Sequence, residues 1–310
     1  MRTRGLNFLR QITGSLAMVD TEALGELGVV AAYIVRGKEN ALIDMGYQSS
    51  AQTVIKDLAA CGLGSEDVDY LLPTHVHLDH CGSCGTLASV YSNATVRVHP
   101  RGQPHLSDPS RLVAGARDLF GEELMSRYGL PDPISANRVR SVSDNEEIAL
   151  GDGITLRAIW TPGHAPHHVS YLIEEHGILF TGDAIGVQYP AFPVQVPTSP
   201  PPSFNLVKAV ESIERIRSFS PAKLCTPHFG LLDKANESLE RNLKTLVEWE
   251  AKLEKLLSEN SDTDEIVTIL TNEIREDAQA SFSDLPEYLR TTIMLSVMGF
   301  LGYLKWNAEQ

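Results

Sequence analysis

The feature that most constrains this chain of 310 residues is a cluster of histidines directly after a short apolar run typical of a β-strand. The segment 74–80 reads T-H-V-H-L-D-H and holds three histidines and one aspartate. His75 and His77 are two residues apart, so in an extended chain their side chains point to the same side. Asp79 and His80 begin the next predicted helix and can turn toward a second point nearby. The spacing therefore suits two metal ions better than one.

Three further potential ligands each follow a predicted strand: His164 in T-P-G-H, Asp183 in T-G-D and His228 in T-P-H. Each alone is a weak signal, because a histidine after a strand is often structural and Gly-Asp is common in turns. Together with the first cluster they indicate one polar site. Imidazole nitrogens suit Zn²⁺ and other borderline metals, and a carboxylate can bridge two ions.

These motifs, in this order, resemble those of the metallo-β-lactamase fold hydrolases over roughly residues 15–231. The resemblance implies an α/β fold, an αββα sandwich of two mixed β-sheets flanked by helices, with a dinuclear site at one edge. It implies a first metal held by His75, His77 and His164, a second held by Asp79, His80 and His228, and Asp183 bridging both.

We therefore expect two divalent metal ions, zinc in first place, with iron or manganese as alternatives. Two such ions bring +4, the two carboxylates bring −2, and a bridging hydroxide leaves about +1 at the site. Zinc lowers the pKa of bound water to about 7, so a hydroxide that attacks a carbonyl carbon is available at neutral pH. Asp79 is the predicted acceptor of the proton that the nucleophile releases, and so also a catalytic residue.

Two other residues are predicted near the ligands. His168 falls where many members of the family carry a second histidine after T-P-G-H, and we expect it to support the ligands. Tyr189 could hydrogen-bond a substrate carbonyl, as a tyrosine near this loop does in lactonases of the family, or simply pack in the proline-rich loop.

Four further residues are given no role in the site. His167 is assigned to an exposed turn and His105 to no particular role. The pair Cys81 and Cys84 is interpreted as helix packing.

The strand-like segments stop near residue 231, which divides the chain into two predicted parts. Residues 1–231 form the metallo-β-lactamase-like core, with a helical insertion at about 101–137. Residues 190–202 contain six prolines and are predicted to be irregular. Residues 232–310 form an all-helical extension, with helices at about 234–259, 263–278 and 284–305.

The last predicted helix has almost no polar face, so its surface must be buried. It could line the substrate pocket, form a homodimer interface, or pack inside the helical extension. Its charge-free stretch, residues 291–304, would span only about 21 Å of the roughly 30 Å of a bilayer core. We therefore expect no membrane span.

Charge and composition narrow the partners. The net charge is −14, from 26 basic and 40 acidic residues, which disfavours nucleic acid and anionic membranes as partners. Four cysteines are too few for a disulfide scaffold, and the N-terminus has no apolar run typical of a signal peptide. These observations predict a cytoplasmic localisation.

The expected function is hydrolysis of an ester, lactone or thioester bond in a small-molecule acyl substrate with a partly apolar acyl portion. The chain resembles three branches of the family: glyoxalase II-type thioesterases, N-acyl homoserine lactonases and thioesterase-like proteins of quinolone signalling. Eight basic against sixteen acidic residues in 229–310 disfavour glutathione substrates. The alternatives are a metal-retaining ligand-sensing or protein-interaction module with little turnover, and a β-lactamase-like amide or phosphoester hydrolase.

Overall fold

The computed structural model describes residues 9–189, 192–259, 262–277 and 285–309. In this part of the chain two mixed β-sheets pack face to face and helices cover both outer faces. The αββα sandwich predicted from the sequence, with helices after it, is confirmed.

The first sheet contains seven strands whose spatial order follows the chain. They are β1 (Leu9–Gln11), β2 (Leu16–Asp20), β3 (Ala31–Arg36), β4 (Asn40–Ile43), β5 (Tyr70–Leu72), β6 (Thr95–Val98) and β7 (Val139–Ser141). Strands β1 to β4 pair antiparallel, whereas β4 to β7 pair parallel. The parallel half requires three crossover connections. All three carry helices, and the connection from β5 to β6 also carries the histidine segment.

The remaining strands are β8 (Glu147–Gly151), β9 (Ile154–Trp160), β10 (Val169–Ile173), β11 (Ile178–Phe180), β12 (Val187–Tyr189), β13 (Phe192–Val196), β14 (Lys223–Thr226) and β15 (Gly230–Leu232). The second sheet has six of them, in the order β15-β14-β11-β10-β9-β8, and β12 pairs with β13 alone. The prediction that residues 190–202 are irregular is wrong for β13. This strand pairs on one edge only, where a proline without an N–H group is tolerated. Residues 190 and 191 lie outside the described part.

The α-helices are α1 (Ala51–Ala60), α2 (Leu78–Cys81), α3 (Cys84–Val90), α4 (Gln103–Ser107), α5 (Ser110–Tyr128), α6 (Leu206–Ser218), α7 (Ala235–Ser258), α8 (Thr263–Asp277) and α9 (Glu287–Ala308). Short 3-10 helices lie at Ala23–Gly25, Gln48–Ser50, Ala136–Arg138, Glu174–His176 and Gly182–Ala184. Helix α5 is interrupted at Gly121, whose φ is 74°. The predicted helix limits 278 and 284 lie outside the described residues.

Three apolar layers hold the sandwich together. Strand β3 shows the pattern: Ala31, Tyr33 and Val35 point between the two sheets, while Ala32 and Ile34 point toward the helices behind the first sheet. Both faces of this strand are buried, so successive side chains enter different layers. The burial of apolar surface on both faces fixes the register of the strand.

The C-terminal helices share an apolar cluster with the second sheet. Leu179 and Leu224 of that sheet belong to the same cluster as Trp249 of α7 and Phe300 of α9. Because this cluster crosses residue 231, the division into two domains there stays a prediction. Within the described residues, no helix is long and apolar enough to cross a membrane.

Candidate metal centre

The potential ligands meet at one edge of the sandwich because each follows the end of a strand. The segment 74–80 follows β5 of the first sheet. His164, Asp183 and His228 follow β9, β11 and β14 of the second sheet. Strands β11 and β14 are parallel neighbours, so their carboxyl ends deliver Asp183 and His228 to the same place. All seven predicted ligands are brought together there.

The first group of ligand atoms is a triangle of imidazole nitrogens. His75 Nε2 lies 2.9 Å from His77 Nδ1 and 3.1 Å from His164 Nε2. His164 Nε2 lies 2.9 Å from His77 Nδ1. His75 is fully buried, and burial, reinforced by neighbouring histidines, holds its pKa and that of His77 well below the usual range. The rings are therefore neutral, which is the form that binds metals.

The hydrogen bonds behind these rings leave lone pairs facing each other. His164 Nδ1 donates to the Thr198 carbonyl at 2.8 Å, so Nε2 of this neutral ring has no proton. Thr74 Oγ1 donates to Asp44 Oδ1 at 3.0 Å and can accept from His75 Nδ1 at 3.1 Å. His75 Nε2 then also has a free lone pair. Two lone pairs at this distance repel each other unless a cation lies between them, so the donor set fits a metal ion.

The second group contains two imidazoles and two carboxylates. Asp79 Oδ2 lies 3.5 Å from His80 Nε2 and 3.4 Å from His228 Nε2. Asp183 Oδ1 lies 3.5 Å from each of the same two nitrogens. His228 Nδ1 donates to the carbonyl of Val29 at 3.2 Å, which leaves Nε2 as the ring nitrogen that faces the group.

Asp183 spans the two groups. Its Oδ2 atom lies 3.5 Å from His164 Nε2 of the first group, whereas Oδ1 faces His80 and His228 of the second. Asp183 Oδ1 and His80 Nε2 are buried and have no hydrogen-bond partner among the described residues. Unsatisfied buried polar atoms are costly, and a cation beside each would satisfy them. The residues present therefore fit two divalent ions with Asp183 between them.

The charges of the second group are complementary. Burial alone would raise the pKa of Asp183, but His80, His228 and His164 outweigh it and hold that pKa well below its usual range. Burial would lower the pKa of His80, but Asp79 and further carboxylates raise it well above the usual value. The carboxylates are thus ionised, as metal ligands must be.

His168 lies directly behind the predicted bridging residue. Its Nε2 accepts a hydrogen bond from the backbone N–H of Asp183 at 2.9 Å, and Nδ1 is 2.8 Å from Thr161 Oγ1. Gly182, with φ of 49°, has no side chain that would collide with the ring of His168. His168 contacts the backbone of a candidate ligand rather than the cavity, where it can fix the position of Asp183.

Asp44 is a site residue that the sequence analysis missed. It is buried, adopts a φ of 53°, and accepts hydrogen bonds from the backbone and hydroxyl of Thr74 at 2.8 and 3.0 Å. Its Oδ2 is 3.1 Å from His80 Nδ1. It thereby supports ligands of both groups. The sequence feature that could have indicated Asp44 is an acidic residue at the end of a buried strand, followed by Met-Gly.

A cavity of about 440 Å³ opens onto the two groups, a size typical of small-molecule sites. Its apolar lining includes Leu112, Leu119, Phe120 and Leu124 of α5 and Leu295 of α9. Of the three alternatives for the last helix, the structure agrees with the lining of a pocket, whereas self-association through this helix stays a prediction. Tyr189 also lines the cavity, but its hydroxyl is 3.4 Å from Thr292 Oγ1 of α9 and its ring is 6.0 Å from that of His228.

Two histidines without an assigned role differ from expectation. His167 does not lie in an exposed turn: its Nδ1 is buried without a hydrogen-bond partner among the described residues, and burial lowers its pKa to about 3. Its ring lies 5.8 Å from that of His77 and 6.4 Å from that of His105, which lines the cavity.

Cys81 and Cys84 are free, buried and packed in the layer behind the first sheet, as expected.

Fold and site together define a metal-dependent hydrolase of the αββα class. The family model of the metallo-beta-lactamase superfamily matches residues 24–228, and the chain belongs to this superfamily, whose members are metallo-hydrolases that bind divalent metals. The metallo-beta-lactamase fold-containing protein ST1585 of Sulfurisphaera tokodaii is 30% identical over 226 residues, which cover 72% of this chain and 80% of the relative. The uncharacterized protein YobT of Bacillus subtilis is 28% identical over 232 residues, covering 69% and 89%.

Solved structures agree with this assignment. The crystal structure of ST1585 superposes with a TM-score of 0.66 at 28% identity, covering 88% of this chain and 93% of that one. The subclass B3 metallo-beta-lactamase MEM-A1, from a soil metagenome library, superposes with a TM-score of 0.54 at 20% identity, covering 79% and 97%. At that identity the likeness to MEM-A1 shows the fold alone.

Proposed function

We propose that the chain is a dinuclear metal-dependent hydrolase of ester, lactone or thioester bonds in small acyl substrates. The observation that carries the proposal is the position of Asp183, which faces His164 with one oxygen and His80 and His228 with the other. A carboxylate in this position suits two ions rather than one. The largely apolar cavity beside it suits a partly apolar acyl group.

Bound divalent ions would supply a nucleophilic hydroxide at neutral pH and electrophilic assistance at the carbonyl oxygen. The side chains of the chain itself would do three things. His75, His77 and His164 would hold the first ion, and Asp79, His80 and His228 the second, with Asp183 between them. Asp79 is partly exposed and lines the cavity, so its carboxylate would also be placed to accept a proton from the attacking water. The walls of α5 and α9 would exclude water from the acyl group.

Elemental analysis of protein purified without chelators, combined with turnover assays, tests the proposal. We expect about two equivalents of zinc, iron or manganese per chain and turnover of 4-nitrophenyl esters, lactones or acyl thioesters. One equivalent that does not rise under metal supplementation would contradict the dinuclear assignment.

The assays also separate the alternatives. A protein that holds two metals but is inert on every ester, lactone and thioester would support a sensing or interaction module. Preferential turnover of β-lactams or phosphodiesters would place the chain in the amide or phosphoester branch. The wall of the cavity does not favour β-lactams or phosphodiesters, which are anionic and would need cationic side chains. Among the described residues that line the cavity, the only cation besides histidine is the exposed Arg111.

A further inference from the structure

Two stacked tyrosines line the cavity beside the second ligand group. The rings of Tyr47 and Tyr128 are nearly parallel, with an interplanar angle of 8° and centroids 4.3 Å apart. Both line the same cavity as Asp79, and Phe120 packs edge-on against Tyr128 with centroids 5.4 Å apart. Tyr47 follows β4 and Tyr128 ends α5, so the pair joins the core to the helical insertion.

Tyr47 is held rigidly against the helix that carries Asp79. The backbone N–H of Met45 donates to the His80 carbonyl at 2.8 Å, and that of Ser83 donates to the Gly46 carbonyl at 3.1 Å. A Cβ atom on Gly82 would lie 2.9 Å from the Cα of Tyr47, closer than real side chains approach. The absence of a side chain at residue 82 thus lets the loop of Tyr47 dock directly on this helix.

Tyr128 is fixed from the other side. Gly129, with φ of 76°, ends α5 against Gln48, where a Cβ atom would lie 3.1 Å from the Cβ of Gln48. Gln48 Nε2 donates to Thr86 Oγ1 at 2.8 Å, and Thr86 Oγ1 donates to Asp132 Oδ2 at 2.7 Å. These contacts anchor the end of the insertion to α3 and leave the tyrosine pair little freedom to move.

The two hydroxyl groups are the polar end of the stacked tyrosine pair. They hydrogen-bond to each other. Burial raises the pKa of Tyr47 well above its usual value and that of Tyr128 to about 12, and Asp79 acts in the same direction on both. Both groups therefore stay protonated, and because the hydrogen bond between them uses only one proton, the other proton can be donated to a ligand. Tyr189 differs, because its hydroxyl lies 3.4 Å from the Thr292 hydroxyl.

We propose that the pair of Tyr47 and Tyr128 determines the specificity for the leaving group of the proposed hydrolase: one hydroxyl of the pair donates to an oxygen atom of the leaving group, and the stacked rings contact the apolar part. The inference rests on the proposed function. The pair lies beside Asp79, on the side of the second ligand group. When the carbonyl oxygen of the substrate is directed to the histidine triangle of the first group, the leaving group lies on the opposite side, beside the second group and the tyrosine pair. An acyl chain would then lie along the leucines of α5 and α9.

Two thioesters with the same acyl group test the proposal, one with a butyl and one with a 2-methoxyethyl leaving group, which differ by one ether oxygen. Wild type should have the lower KM for the 2-methoxyethyl compound. The double variant Tyr47→Phe, Tyr128→Phe should lose this preference, by about twofold to tenfold in KM for one hydrogen bond, with kcat and metal content unchanged. The control is Tyr70→Phe, which removes a hydroxyl that bonds to Glu39 outside the cavity.

Direct binding of 4-nitrophenol, a chromophoric leaving group, provides a readout that does not need turnover. The metal-loaded protein should bind it, and the double variant should bind about twofold to tenfold more weakly, while Tyr70→Phe binds like wild type. Equal 4-nitrophenol affinity in the double variant and in wild type would overturn the role of the pair. A wild type without turnover on any ester or thioester, in which the double variant still weakens 4-nitrophenol binding, would instead overturn the proposed function and leave the pair as a ligand site.

Discussion

The metal centre and the wall of the cavity are built in opposite ways. Every candidate ligand lies in a segment that follows a strand, and hydrogen bonds accepted by oxygen atoms of Asp44, Thr198 and Val29 orient the ligands from behind. The wall comes from α5 and α9, which are far apart in sequence and are joined by few polar contacts, such as the ion pair of Arg127 and Glu287. We therefore expect the chemistry to depend on the sheet framework, and substrate preference to depend on helices that can change without altering this framework.

The largest effect should come from breaking the centre at Asp183. Asp183→Asn removes the charge that faces both ligand groups, so we expect loss of bound metal and a decrease of kcat/KM by more than about a hundredfold. Elemental analysis and kinetics on the same preparation measure both. Asp233→Asn is the control, because Asp233 is exposed and pairs with Lys223 at the surface, away from the ligand groups. Full activity of Asp183→Asn with two metals bound would contradict the bridging position.

A smaller effect should follow from removing the support behind this ligand. His168→Leu deprives the backbone N–H of Asp183 of its acceptor, and we expect a decrease of about tenfold to a hundredfold in metal affinity or activity. His168→Gln keeps a side-chain carbonyl acceptor and should restore part of the loss. If both variants behave alike, the ring of His168 acts only by filling space, and the role assigned to its Nε2 atom is wrong.

The same contrast shows what could be predicted from the sequence. The ligands were found because strand ends carry them in short motifs, such as the segment 74–80, where three histidines and an aspartate lie within six positions. The fold followed from the order of these motifs in the chain. Asp44 was missed because its partners, Thr74 and His80, are brought to it by strand pairing, and nothing in the neighbouring sequence indicates them.

The wall was harder to predict because it depends on packing between distant segments. Tyr47 and Tyr128 lie in segments without any motif, and only the fold brings their rings into contact. Strands β1 and β2 were not predicted, because β1 has only three residues and β2, buried on both faces, lacks the alternation of a half-exposed strand. Strand β13 was missed because prolines argue against a strand unless an unpaired edge is known.

Changing the wall should alter substrate preference without altering the centre. Leu295→Ala on α9 or Phe120→Ala on α5 removes apolar contacts from the cavity, so kcat/KM for long-chain acyl substrates should fall about fivefold relative to short-chain ones. Metal content should stay the same. The control is Leu257→Ala, which truncates an exposed leucine of α7 outside the cavity. An equal loss on all chain lengths, or loss of metal, would show that wall and centre are not independent.

The smallest effect should come from the ion pair that joins the two wall helices. Arg127 Nη1 lies 2.6 Å from Glu287 Oε2, and both side chains are roughly two-fifths exposed. Exposed pairs contribute about 0.2–1 kcal/mol and are screened by salt, so Arg127→Ala should lower the free energy of unfolding by no more than this amount. A double-mutant cycle with Glu287→Ala, in denaturant at low and high salt, isolates the coupling between the two residues. A coupling well above 1 kcal/mol would mean that α5 and α9 form one cooperative unit. Chain-length preference could then not be changed on one helix without affecting the other.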